Sequence, residues 1–107
     1  MSLAEPPIFD ENKIKTLTQH LQDRIAEHMR LQREGKLPFY KRIPVTVVEI
    51  RHIMEIMNRS RSTAHRLMTK IRTKLGKKDD EYVSVSDFCE ATGLPEHEVQ
   101  RALDLLT

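Results

Sequence analysis

The sequence predicts an all-α fold: one long N-terminal helix followed by two helix-turn-helix units, with at most a minimal two-stranded ribbon between them. Three observations carry that expectation. Apolar residues recur at intervals of three and four through most of the chain. Ser, Thr or Asp stands where helices would begin, and Gly or Asn where they would end. A shift of 35 residues lays the C-terminal part on the middle, carrying Gly93 onto Asn58, Phe88 onto Ile53, Cys89 onto Met54, Val99 onto Ala64 and Ala102 onto Leu67. The same plan is written twice.

Residues 4–10, "AEPPIFD", read as an irregular lead-in, and Asp10 as the N-cap of a helix over roughly 11–34. Its apolar stripe is Ile14, Leu17, Leu21, Ile25 and Met29. Gly35 and Pro38 stop it, and "KLPFYKRIP" links onward with Leu37, Phe39 and Tyr40 available for docking. Thr46-Val-Val-Glu49 has capping-box spacing, so a helix is expected from there with Val47, Ile50, Ile53, Met54 and Met57 inward. Asn58 breaks it, Ser60 caps the next helix, and Ala64, Leu67, Met68, Ile71 and Leu75 face the core until Gly76. In the second unit Ser84 and Asp87 form a capping box; Val85, Phe88, Cys89 and Thr92 line one helix. Gly93 makes the turn, and Val99, Ala102, Leu103 and Leu106 line the last helix. The caps Thr46 and Ser84 differ by 38, which makes the first unit's leading helix about one turn longer. "RIPV" and "EYVSV" are the expected ribbon strands.

At 107 residues the chain divides into a lead-in and helix over 1–40, for packing or dimerisation, and a helix-turn-helix domain over 41–107. The 38% hydrophobic content is too high for a disordered chain. No apolar run reaches bilayer length and no signal peptide opens the sequence, so membrane partners are not expected and the cytoplasm, at the nucleoid, is. Cys89 is the single cysteine, which excludes an internal disulfide.

Net charge is +2, but it is laid out in blocks. Residues 1–40 sum to zero. Residues 41–78 hold eleven Lys/Arg against Glu49 and Glu55, a net +9, and residues 79–107 hold Arg101 against eight acids, a net −7. The domain therefore splits into a basic unit, 41–78, and an acidic unit, 79–107. From Arg59 to Lys78 there is no Asp or Glu at all. An ordinary solvated helix interleaves acids for i,i+4 pairing, so a face without them repels itself until a polyanion arrives.

"IMNRSRSTAHRLMTKIR", residues 56–72, resembles the helix-turn-helix of bacterial DNA-binding proteins, and the "SRST" opening of its second helix is a frequent form. Along about residues 44–104 the pattern is similar to small regulators encoded by mobile elements and phages, including those of the Bacteroides group. Two positions depart from it. Arg59 follows the turn where an apolar residue is usual, its stem expected over the core and its head toward a phosphate. Met54 stands where a small residue is usual, which alters the angle between the helices. The resemblance implies a non-enzymatic, sequence-specific binder of double-stranded DNA, a transcriptional regulator or a recombination accessory factor, with the second helix in the major groove.

Helical spacing puts Arg61, Ser62, His65, Arg66 and Thr69 on the outer face of that helix, as base readers, with Arg61 and Arg66 suited to guanine. Arg59, Ser60, Thr63, Lys70, Arg72 and Lys74 are the phosphate contacts. The acidic unit carries Glu96, His97 and Glu98 where the basic one has Arg61, Ser62 and Thr63, the wrong sign for DNA. It is expected to serve packing or protein contact. The rival class is an interaction module whose basic helix docks on an acidic protein. A homodimer through residues 11–34 is expected, since one unit reads only a half-site. The five histidines and Cys89 have no metal-ligand spacing, three glycines make no phosphate loop, and no cofactor, metal or small-molecule substrate is expected.

Overall fold

The computed structural model describes residues 6–38 and 44–106, and Phe39, Tyr40 and the expected strand residues Arg42 and Ile43 lie outside them. Among the described residues, five helices and a two-stranded ribbon follow in the order α1 Glu11–Arg33, β1 Val47–Val48, α2 Ile50–Met57, α3 Arg61–Leu75, β2 Val83–Ser84, α4 Val85–Thr92 and α5 Glu96–Leu106. The all-α expectation with a minimal ribbon holds. None of the described helices is long and apolar enough to cross a membrane.

α1 starts where Asp10 accepts a hydrogen bond from the Lys13 N–H at 2.8 Å. Leu17, Leu21 and Ile25 are buried, chiefly against α5, while Met29 at the end of the stripe is exposed. Leu21 is wholly buried, a contribution of about 1.5–3 kcal/mol. The seam expected to join two chains is thus spent inside one chain, and a dimer through it would have to unpack α1.

The first unit departs from its expected start. Thr46 is not a helix cap, and α2 begins only after Glu49. Val47 and Val48 extend instead, because they pair antiparallel with Ser84 and Val83, and the Thr46 carbonyl accepts the Val85 N–H at 3.2 Å. Two β-branched residues next to a partner strand outweigh a Thr-x-x-Glu signal. The expected strand therefore sits a few residues later than "RIPV". The cap falls to Glu49, whose N–H donates to Nδ1 of His52 at 2.9 Å. His52 is buried, with Ile53 and Ile56 beside it, while Ile50, Met54 and Met57 are partly covered.

With the cap at Glu49 the repeat tightens. Glu49 and Ser84, the ends Asn58 and Gly93, and the helix starts at Ile50/Val85 and Arg61/Glu96 all stand 35 apart, so both leading helices have eight residues. The extra turn expected in the first is absent. Val48 and Val83 are equivalent under this shift and are also ladder partners, so a local two-fold passes between them. Both are buried, as are the paired core residues Ile53 and Phe88, Ala64 and Val99, and Met68 and Leu103.

Both turns use the left-handed region, Asn58 at φ 51° and Gly93 at φ 86°. Asn tolerates it, but Gly93 has a second reason to lack a side chain. A Cβ there would lie 2.6 Å from Ile14 Cδ1 and 2.9 Å from Pro7 Cβ. The lead-in closes over this turn, with the Ile8 N–H donating to the Ala91 carbonyl at 2.8 Å and Lys74 Nζ to the Pro6 carbonyl at 2.8 Å. The N-terminal segment therefore ties the two units together.

Candidate nucleic-acid interface

α3 is positioned by its two ends. Ser60 Oγ accepts the Thr63 N–H at 3.3 Å, and Gly76 closes the helix in the left-handed region. Ala64, Leu67, Met68 and Ile71 bury one side, and the opposite side stays open. Ser62, His65, Arg66 and Thr69 are all exposed on it, and Thr73 extends the same row one turn further.

Arg61 is exposed too, but it stands on a flank. With Met68, seven residues on, and Arg72, four further, it lines a groove of ≈ 310 Å³ shared with the ribbon, α2 and Tyr82. The opposite flank carries Thr63, Arg66, Leu67 and Lys70, facing Phe9, Lys13 and Met57 across a second groove of ≈ 380 Å³. Lys13 lies over the Phe9 ring, 5.2 Å from its centre.

The expected phosphate contacts divide in two. Arg59 and Lys70 are exposed, and Arg59 stands in solvent rather than being buried over the core. The others also have work inside the chain. Ser60 caps the helix, Thr63 Oγ1 lies 3.2 Å from Ser60 Oγ and accepts from Arg66 Nη2 at 3.4 Å, and Arg72 Nε donates to the Glu81 carbonyl at 3.2 Å. Lys74, half-buried, holds the lead-in.

No carboxylate, among the described residues, forms an ion pair with Arg59, Arg61, Arg66, Lys70 or Arg72. Elsewhere several charges are paired. Arg24 reaches Glu55 across α1 and α2, Arg30 meets Glu27 and Glu34, and Lys77 meets Asp87 at 3.4 Å. Among the described residues, these five cations of the acid-free segment are left without a carboxylate partner.

The second unit shows the contrast at equivalent positions. His97, Gln100, Arg101, Asp104 and Leu105 correspond to Ser62, His65, Arg66, Thr69 and Lys70. Here Arg101 Nη2 donates to the Met29 sulfur at 2.9 Å, while Asp104 accepts the Val45 N–H at 2.8 Å and Gln100 donates to the Val45 carbonyl at 2.7 Å. Glu98 accepts from Gln22 of α1 at 3.3 Å, and Glu96 from Ser86 at 2.6 Å. That helix spends most of its outer side chains within the chain, His97 remaining exposed.

Two buried groups lie outside the interface. Cys89 is buried, and burial pushes its thiol up to about 12, which keeps it a neutral core residue. His52 is the residue that sequence reasoning passed over as one histidine among five. Burial first, then the Arg51 charge, hold its pKa below the ordinary 6.5. The 35-residue shift could have found it, because it stands where Asp87 closes the second unit's capping box. No group of three His, Cys, Asp or Glu among the described residues could hold a metal ion. Comparison with protein-family models, curated proteins and solved structures gives no match.

Proposed function

We propose that this protein binds double-stranded DNA through α3, reading a short sequence as a transcriptional regulator or recombination accessory factor. The observation that carries the reading is the exposed, acid-free face of α3 behind a left-handed turn, where Arg61, Arg66, Lys70 and Arg72 form no ion pair with a carboxylate among the described residues. Such a face is costly alone and satisfied by a polyanion. α3 seats in the major groove with Ser62, His65, Arg66 and Thr69 toward the base edges. Arg66 is the side chain suited to a bidentate guanine contact, worth about 1–3 kcal/mol of discrimination. Arg59 and Lys70 meet phosphates, and the N–H groups of the first turn of α3 add a positive end. Two copies on a symmetric site would meet through a surface other than the α1 stripe, which is occupied within the chain.

Binding-site selection from random duplexes near physiological salt tests this. A recovered consensus is expected, with log K falling against log salt at a slope of about −4 to −5 if Arg59, Arg61, Arg66, Lys70 and Arg72 all neutralise phosphates. Failure to retain any duplex, with capture of an acidic protein that duplex DNA does not displace, would transfer the basic helix to the rival class.

A further inference from the structure

The ribbon-side groove gathers three arginines of the basic unit, far apart along the chain, with a tyrosine from the acidic one. Arg51 is the second residue of α2, Arg61 opens α3, Arg72 lies three turns along, and Tyr82 precedes β2. Pairing of β1 with β2 brings them around one groove of ≈ 310 Å³. Tyr82 is 78% exposed, an aromatic ring in solvent beside three guanidinium groups. Arg72 uses only Nε on the Glu81 carbonyl, so its two terminal nitrogens remain. The opposing charges are limited. Glu49 lies 3.1 Å from Arg51 and is offset by it, and the Glu81 carboxylate turns to the Lys78 N–H at 3.2 Å.

We infer that Arg51, Arg61, Arg72 and Tyr82 form a second contact surface for DNA phosphates, so that α3 is straddled by the two strand backbones. The inference rests on the proposed DNA reading and extends it. A helix with side chains is about 10–12 Å across and the major groove about 12 Å wide, so a seated α3 presses its flanks against opposite phosphate walls. Lys70 and Lys13 face the wall on the lead-in side, where Arg66 stands at the border between that flank and the outer row, and the four groove residues face the wall on the ribbon side. Arginine forks and a phenolic O–H are the donors that phosphate oxygens accept. Arg61 thereby moves from base reader to backbone contact. The sequence places it beside Ser62, yet its flank looks toward the ribbon.

The test is fluorescence anisotropy over a salt series, using a selected duplex and a scrambled duplex of equal length. Arg61→Gln, and the pair Arg51→Gln with Tyr82→Ala, are compared with the wild-type chain, with Arg66→Ala and with the surface control Arg33→Ala. Both groove variants should weaken the two duplexes by the same factor, about tenfold. Each should also shallow the salt slope by about 1. Arg51→Lys should restore the slope, which a loss of folding alone would not allow. Arg66→Ala should weaken the selected duplex preferentially. Groove variants with wild-type slope and affinity, alongside a selective Arg66→Ala effect, would overturn the inference and leave the DNA reading intact. A selective loss in Arg61→Gln would return Arg61 to the base readers. If the wild-type chain binds neither duplex, the reading itself falls and the inference with it.

Discussion

The α2–α3 and α4–α5 units are one backbone plan carrying two different surfaces. Their caps, turns and helix starts coincide under a single 35-residue shift, and their cores match position by position. Outside the core they diverge completely. Of the positions that stay open on α3, the counterparts of His65, Arg66 and Thr69 on α5 bond to α1 or to the Val45 backbone, and His97, the counterpart of Ser62, stays exposed. The difference teaches that the turn and caps establish a shape, while the outer side chains decide whether that shape faces a partner or its own chain.

The largest expected effect separates the two turns. Gly93→Val puts a Cβ against Ile14 and Pro7 and strains a left-handed residue, so urea unfolding should show a loss of about 3 kcal/mol or more. Asn58→Gly should stay within about 0.5 kcal/mol, since Asn58 is exposed and glycine adopts the same backbone freely. Asn58→Val should fall between them through backbone strain alone, about 1–3 kcal/mol. Equal costs at Asn58→Gly and Gly93→Val would deny that α1 and its lead-in close over only one of the turns.

Next in size is Leu21→Ala, which empties a wholly buried site where α1 meets α5 and should cost about 2–5 kcal/mol. Sedimentation of the intact chain checks the same contact from outside. A stripe buried within the chain predicts that Leu21→Ala lowers stability without changing molar mass. A change from dimer to monomer would show that α1 joins two chains.

A smaller effect distinguishes the two capping boxes by pH. Nδ1 of His52 must be unprotonated to accept the Glu49 N–H, and its folded pKa lies below the unfolded value. The unfolded chain therefore binds the proton first. The contribution is absent above the ordinary histidine value of 6.5 and grows as a destabilisation while pH falls through the window down to the depressed folded pKa. His52→Gln supplies an uncharged side chain suited to that position of a capping box and should flatten the pH dependence there. Asp87 works the other way. Burial raises its pKa, but bonds from Ser84 and the Lys77 charge outweigh it and hold the carboxylate below its usual range. Its cap is lost only in stronger acid. Stability profiles of wild type and His52→Gln that coincide between pH 7 and about 5 would remove His52 from this role.

The smallest effect expected is at Arg101, the counterpart of Arg66. Arg101→Ala should change DNA affinity by less than about twofold, where Arg66→Ala costs the selected duplex about tenfold, because Arg101 is turned to Met29. Similar losses at both would mean that the two units share the DNA.

How legible this was in the sequence depended on whether a signal was local. Asp10, Ser60, Ser84, Asn58, Gly76 and Gly93 announce themselves because each satisfies a backbone need within four residues, and the structure uses all of them as read. Thr46 sent the same local signal falsely. The competing ladder joins residues 35 and 37 apart, Val48 with Val83 and Val47 with Ser84, beyond any local window, although the repeat itself points to Glu49. The acid-free face was visible as composition, but its flanks were not. Arg51 and Tyr82 become neighbours of Arg61 only through the ribbon, and the partner of the α1 stripe only through packing on α5.

Amide chemical shifts of the ¹⁵N-labelled chain, followed while the selected duplex is added, bear most directly on the central claim that one unit faces DNA and its twin faces the chain. Perturbations should concentrate at Asn58–Thr73, with a weaker set near Glu49–Arg51 and Tyr82, while residues 96–106 stay unmoved. Perturbations on α5 equal to those on α3, or none on α3 at saturating duplex, would contradict the account.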